Sequence, residues 1–467
     1  MGTTSKLMDD VVVNDYCVGC GLCAFATNGK LKMILDDSGK YKPILENEKD
    51  AERIDRAALP ICPFANQAYN EDEIGHIHFA GSKHAQGIGY YKELWAGYVQ
   101  NEEKRKVGGS GGLGTWLLSK LLKEKLVDKV IHVRESKNTH KLFEYCISET
   151  EEELEKGGKS KYYPVELSSI LDYVATNDYR YALVGIPCFI KAVRNLALQN
   201  ENIGKRIRYF VGLVCGHMKS TFFAESLGME MGIQPQNLTA IDFRKKMTST
   251  KASNYGIEVK GMVNGQELQK EKLTKECYTT NWGYGFFKLK SCEFCDDVLA
   301  ETADITIGDA WLPRYVKDSQ GTNIIIVRNE IFSELFKKYQ QELYLDPLDE
   351  EDVIESQISG IRHRTEGLAY RLYQAEMKNE WHPKKRIQPE QLADKKREKI
   401  YEYRYLLSQE SFSHFKKAKN KGDFVLFEKL MNPLLSQYQS LNTANFFVVN
   451  YKKIVKRLNY YKRKWLK

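Results

Sequence analysis

Residues 17–23 read CVGCGLC, and residues 62–63 read CP. Three cysteines at intervals of three let one turn of backbone present three thiolates to a single inorganic cube. A remote Cys-Pro supplies the fourth, its proline forbidding a helical start that would draw the sulfur away. This spacing makes Cys17, Cys20, Cys23 and Cys62 candidate ligands of a 4Fe–4S cluster. A structural zinc ion would favour two separated cysteine pairs, and no second triple follows that would share Cys62 with another cube.

Four more cysteines gain meaning from the elements around them. Cys188 follows the apolar run YALVGIP and opens FIKAVRNLALQ, and Cys215 follows RYFVGLV. Successive strands of a parallel sheet place their carboxyl ends on one edge, where open α/β sheets bind ligands. Cys292 and Cys295 form C-x-x-C in SCEFCDD, just ahead of ADITIGDAW. Together these four thiolates suit a second cluster or a zinc ion. At a helix start, the Cys188 thiolate is also favoured by the helix dipole. Cys146 and Cys277 read as ordinary buried cysteines.

The stretch KVGGSGGLGTWLLSKLL contains a formal G-x-G-x-x-G at Gly109, Gly111 and Gly114. NEEKRK separates it from the preceding strand-like LWAGYV, and no ribose-binding acid follows at the usual distance, although Glu135 ends the next strand. The dinucleotide fingerprint therefore fails. A glycine loop opening a helix still offers bare N–H groups to an anion, so a cofactor phosphate is expected at Gly109 to Thr115.

These groups need a scaffold. From Glu93 to about Val327, β-branched runs alternate with amphipathic stretches: LWAGYV, TWLLSKLLKEKL, KVIHV, then YALVGIP, FIKAVRNLALQ and RIRYFVGLVCG. The alternation predicts an α/β (α+β) chain whose central, partly parallel sheet carries helices on its faces. ADITIGDAW and TNIIIVR read as later strands of the same sheet. Three regions are expected: a ferredoxin-type unit at 1–80, a cofactor domain at 85–340, and a basic helical extension at 345–467.

The 42% apolar and 28% charged content is that of a globular protein. No apolar run approaches a membrane span. The start, MGTTSKLMDD, lacks a basic-then-apolar signal, so ten cysteines point to metal or redox chemistry in a reducing cytoplasm. Residues 381–467 hold 21 Lys and Arg against 7 Asp and Glu. The net charge of +8 therefore belongs to the C-terminal segment, and the main body is acidic. Nucleic-acid binding is not expected from an acidic body without a recognition motif.

The ordered set CVGCGLC with CP, SGGLGTWLL, GIPCFIKAVR, GLVCGH and CEFCDDVLAETADITIGDAW resembles the coenzyme F420 hydrogenase/dehydrogenase beta-subunit family. That family's relatives include hydroxymethyl-chlorophyll reductase and divinyl-chlorophyllide reductase. The resemblance spans roughly residues 10–330. It implies FAD beside one or two 4Fe–4S clusters, with Ser110, Gly111 and Gly112 in the flavin loop and Cys188, Cys215, Cys292 and Cys295 as the second cluster's ligands. Arg244 and Lys245 in IDFRKK are candidate cations beside the flavin, with Lys106 a more distant choice. Asp309 in GDAW is a candidate for contact with flavin or substrate.

The implied activity is that of an oxidoreductase passing electrons between a ferredoxin-like carrier and a small organic substrate through two clusters and FAD, in either direction. The alternative is an F420-reducing or F420-oxidising beta subunit of a larger complex, although nothing in the sequence reads as a deazaflavin pocket. Alternatives of another class are a flavin-free electron-relay or scaffold subunit and a zinc-stabilised binding protein.

His76, His78 and His84 read as surface or linker residues, and His217 as a helix-capping or core residue beside Cys215, or one tuning a cluster. In FFVVNYKKIVKRLNYYKRKWLK, Phe447, Tyr451, Ile454, Leu458, Tyr461 and Trp465 recur every three to four residues among eight cations. The stretch reads as a basic amphipathic helix. It would lie on the inner face of an anionic membrane, dock on an acidic partner, or fold back on the body.

Overall fold

The alternating runs fold into one eight-stranded mixed sheet. In spatial order its strands are Leu343–Pro347, Glu93–Val99, Asn323–Val327, Ile305–Asp309, Ile207–Leu213, Tyr181–Gly185, Lys129–Glu135 and Phe143–Ser148. The computed structural model describes residues 5–47, 50–138, 141–247 and 251–443. Four central strands, from Ile305–Asp309 to Lys129–Glu135, run parallel, with Val211 opposite both Ile305 and Val184. Both outer pairs are antiparallel. Asn323–Val327 is buried at every position, as expected of an apolar run covered on both faces.

Side chains alternate across this sheet with period two. Val130, Ala182 and Val211 face the helices Leu113–Lys123 and Glu330–Lys338, in a core with Trp116, Leu117 and Phe332. Ile131, Leu183 and Phe210 face the other way, against the helix Pro187–Gln199. That second core also takes in Leu7, Val11, Tyr16, Ile54 and Phe64 from the N-terminal segment. The segment comprises short helices and the hairpin Leu31–Leu35/Tyr41–Leu45, and it shares its hydrophobic interior with the sheet.

A smaller antiparallel sheet, Leu238–Lys245, Gly256–Val263 and Gln266–Leu273, stands beside the large one. IDFRKK thus falls mostly in the strand Leu238–Lys245. Phe222, Phe223, Phe243, Phe286 and Phe287 join this sheet to Phe412, Phe415 and Phe427 of the long helices Lys395–Lys421 and Phe424–Thr443. The first of these helices is capped by Asp394, whose carboxylate accepts from the N–H groups of Lys396 and Arg397. Such a cap contributes about 1 kcal/mol. Among the described residues the chain from Glu350 onward is mostly helical, with 378–394 outside any helix. No helix among the described residues is long and apolar enough to cross a membrane. The amphipathic stretch from Phe447 to Trp465 lies outside the described residues.

Candidate functional site

The carboxyl edge of the parallel strands gathers the chemistry. Cys188 opens the helix after Tyr181–Gly185, Cys215 lies two residues beyond Ile207–Leu213, and Asp309 ends Ile305–Asp309. Cys292 lies in the short turn Lys290–Phe294, which Cys295 closes. The charges of Cys215, Cys292 and Cys295 all act on Cys188, so the four sulfurs share one neighbourhood. The Met218 N–H donates to Cys292 Sγ at 3.2 Å. Arg364, whose role no sequence pattern revealed, is 2% exposed and donates to the Gly216 carbonyl at 2.8 Å. Burial opposes its charge, but Cys295 and Cys215 beside it hold the guanidinium above its usual range.

Cys17, Cys20, Cys23 and Cys62 line a small apolar cavity of about 20 Å³, together with Leu7 and Ile61. The two cysteine sets lie close together, since the charge of Cys20 reaches Cys188 and both act on Tyr145. Burial pushes the Cys17 thiol up to about 12 and that of Cys292 to about 11. Burial likewise raises Cys20, Cys23, Cys62, Cys188 and Cys215. Thiols raised in this way become good thiolate donors when a cationic centre binds them. Among the described residues, no three His, Cys, Asp or Glu side chains are drawn together tightly enough to hold a single metal ion. Two all-thiol quartets fit iron–sulfur clusters by donor chemistry. Cys146 and Cys277 are buried away from both, their thiols donating to backbone carbonyls of His132 and Leu273.

The glycine loop sits at the same sheet edge. The Gly111 carbonyl accepts from the Val99 N–H at 2.9 Å, and the Ser110 hydroxyl donates to the Thr322 carbonyl at 3.0 Å. A Cβ on Gly111 would lie 2.7 Å from the Gly97 oxygen, so only glycine fits there. Gly112 caps the following helix with φ of +82°. Of the N–H groups expected to be bare, three are taken up: Gly109 donates to Gly158, Gly112 to Gly109, and Leu113 to Asn323 Oδ1, while those of Ser110, Gly111, Gly114 and Thr115 have no hydrogen-bond partner among the described residues. The loop spends three donors on its own tight fold, and side-chain cations stand beside the remaining ones.

Lys246 donates to the carbonyls of Ser110, at 2.7 Å, and Arg105. Arg105 stacks 3.7 Å over Tyr98, and its buried Nε has no hydrogen-bond partner among the described residues. Lys159 pairs with Asp242 at 2.6 Å on the neighbouring GGKSK loop, where Gly158 abuts Thr115. Burial first, then the charges of Arg105, Lys159 and Arg244, push the Lys246 ammonium down to about 7. Crowded cations beside a glycine loop, one with an orphaned N–H, fit an anionic group such as the pyrophosphate of FAD.

The sequence candidates divide on this geometry. Arg244 and Asp309 meet each other in a bidentate pair at 2.7 and 3.0 Å, while Arg244 also lies 4.6 Å from the Tyr255 ring. Lys245 points the other way, to Glu258 and to Glu271 at 2.5 Å, because strand alternation sends neighbours to opposite faces. Lys106 is exposed on the helix Glu102–Val107, and its neighbour Arg105 turns inward. The cations at the loop are therefore Arg105, Lys159 and Lys246, each close in sequence to a residue or motif the pattern marks. The paired glycines of GGKSK were the available signal for Lys159.

From Tyr255 the wall continues to Tyr162 and Trp282, whose rings lie 4.9 Å apart, and then to His217 at 4.3 Å from Trp282. Burial and the charges of Lys219, Lys288 and Arg364 hold the His217 imidazole well below its usual range, so it is neutral. Tyr255 and Trp282 also line a cleft of about 670 Å³ with Tyr278, Tyr284, Asn432 and Gln439. This volume is that of a small-molecule pocket.

Comparison with known proteins places the central part of the chain in a family. Residues 94–172 match coenzyme F420 hydrogenase/dehydrogenase, beta subunit N-term, and residues 178–352 match the corresponding C terminus. The chain belongs to this family of oxidoreductase subunits. An uncharacterized protein of Methanocaldococcus jannaschii is 28% identical over 261 residues, which is 55% of this chain and 88% of the relative. The F420-dependent formate dehydrogenase subunit beta of the same organism is 26% identical over 203 residues, 43% of this chain. The match spans only 48% of that relative's length. A chain of the F420-reducing NiFe hydrogenase complex from Methanosarcina barkeri aligns with a TM-score of 0.46 at 16% identity, covering 62% of this chain and 94% of that one. The family-model matches favour the hydrogenase/dehydrogenase beta-subunit alternative over the ferredoxin-fed reading.

Proposed function

We propose that the protein is an iron–sulfur flavoprotein subunit that reduces or oxidises coenzyme F420 within a larger redox complex. The observation that carries this reading is the convergence, on one sheet edge, of a cation-lined glycine loop and a four-cysteine set. Cys188, Cys215, Cys292 and Cys295 would hold one 4Fe–4S cluster, with Arg364 offsetting its negative charge. Cys17, Cys20, Cys23 and Cys62 would hold the other. Arg105, Lys159 and Lys246 would grip the FAD pyrophosphate, and Gly111 allows the loop to lie flat against Gly97. When bound, FAD exchanges one-electron for two-electron steps, and the clusters transfer single electrons. The Tyr255, Tyr162 and Trp282 wall would flank the flavin and exclude water, and the cleft beyond it would admit the organic partner.

The relative named as a formate dehydrogenase beta subunit supports F420 as that partner. A second reading has its own support. The first quartet lies outside the family match, on the same chain, which suits direct delivery of electrons from a ferredoxin-like carrier to another organic substrate. The test is anaerobic purification with iron, sulfide and flavin analysis, followed by addition of F420. About eight irons, one FAD and bleaching of oxidised F420 under a reductant would support the proposal. Flavin and iron without F420 turnover would transfer the reading to the ferredoxin-fed reductase. Iron without flavin would leave a relay subunit.

A further inference from the structure

The segment WHPKKRI, residues 381–387, lies beyond the family match and bridges the two cysteine sets. Trp381 packs edge-on against Tyr16, at 5.4 Å, and its carbonyl accepts from the Tyr16 hydroxyl at 3.1 Å. Tyr16 immediately precedes Cys17. The Lys384 N–H donates to Asn66 Oδ1 at 2.7 Å. Lys385 then turns inward, its side chain only 4% exposed. Its ammonium stands 4.4 Å from the ring of Phe64, two residues past Cys62, and 3.5 Å from Asp296, the residue after Cys295. Arg386 fixes the far side through Glu301, at 2.8 and 2.9 Å, and Asp72, at 2.8 Å. The field of Lys385 acts on both Cys62 and Cys295.

We propose that Lys385 is a positioning residue shared by the two cluster sites, one fixed positive charge that stabilises the electron-loaded state of both and so raises both potentials together. The inference rests on the reading of both quartets as 4Fe–4S sites. Reduction adds one electron, hence one unit of negative charge, inside a ring of thiolates, while no atom is transferred. A buried cation facing both rings favours that added charge at each, because the low local dielectric screens it little. Arg386 remains to pair Asp296 when Lys385 is altered, so neutralising Lys385 leaves the carboxylate partnered.

The test is a reductive titration of the reconstituted holoprotein followed by electron paramagnetic resonance. Cys20→Ser and Cys292→Ser proteins assign the signal of each site. In Lys385→Met both midpoints should fall, with about a tenfold lower reduced-to-oxidised ratio at fixed potential (~59 mV for one electron). Lys385→Arg should restore both. Asp296→Asn, which removes the opposing charge and keeps the lysine, should move the midpoints upward. It decides the matter if Lys385→Met fails to load iron. Midpoints that stay in place, or a shift at one site alone, would overturn the inference and leave the cluster assignment intact. A wild-type protein without iron would remove the cluster assignment and the inference together.

Discussion

The two cysteine sets reach similar surroundings by opposite routes. In the first, three of the four sulfurs come from seven consecutive residues, and the cavity walls are apolar side chains. In the second, the sulfurs arrive from two strand ends and a turn separated by about a hundred residues of chain, with Arg364 buried among them. A site made by local spacing tolerates changes elsewhere in the fold. A site made by tertiary convergence depends on the sheet edge that assembles it. The first set also lies outside the family match and the second within it. The chain thus carries one cysteine set within the family match and one outside it.

The largest expected effect separates the two sets directly. Cys292→Ser should lower bound iron from about eight to about four per chain, leaving the first site loaded, and Cys20→Ser should do the converse. Iron and acid-labile sulfide analysis would read this. Loss of all iron in either variant would mean that the two sites load as one unit, which would erase the contrast between them.

The glycine loop provides the next effect. Lys246→Met should weaken FAD binding about tenfold to a hundredfold, the range of a lost charged hydrogen bond. The sign with pH follows from its ammonium, pushed down to about 7 when no anion is present. Anion binding favours the protonated form, so the dissociation constant should rise with pH above about 7, by up to tenfold per unit. Fluorescence titration of flavin at several pH values would measure this, and the Lys246→Met protein should show a flat profile.

Gly111→Ala would force a Cβ to 2.7 Å from the Gly97 oxygen. It should cost roughly 1–3 kcal/mol of stability, seen as a lower melting temperature, with FAD affinity falling alongside. The smallest effect is expected at Lys245 and Lys106. Lys245→Ala should leave FAD affinity unchanged, since the side chain serves Glu258 and Glu271 on the opposite face. Lys106→Ala, on an exposed helix surface, should change stability by less than about 0.5 kcal/mol. A strong effect of either on flavin would return them to the site.

Much of the fold was legible because its strands are apolar runs of the right length between amphipathic helices. YALVGIP, RYFVGLV, ADITIGDAW and TNIIIVR each carry the pattern of a covered strand. The small sheet was less legible: in Gln266–Leu273 most residues face solvent, which hides its period. IDFRKK, whose candidate cations were Arg244 and Lys245, lies mostly in the strand Leu238–Lys245, so its lysines alternate faces and the one nearest the loop is Lys246.

The basic extension shows the same limit. Its charge count gives no partners, and Lys385 and Arg386 are turned into the body to meet Asp296, Glu301 and Asp72. Glu293, between the last two cysteines, is similarly buried against Lys288, His363 and Arg371. Composition counts charges, but only packing pairs them.

By itself the sequence determined the thiol inventory, the first quartet, the strand-and-helix alternation, and the glycine loop with its family resemblance. All of these are local, set by spacing along the backbone. The tertiary structure alone decided which cations face the loop, that Arg244 and Asp309 neutralise each other, that Arg364 stands among the second quartet, and that residue 385 lies between the two quartets. Each of these depends on which face a side chain occupies and what a distant segment places opposite it, and neither is encoded in local spacing.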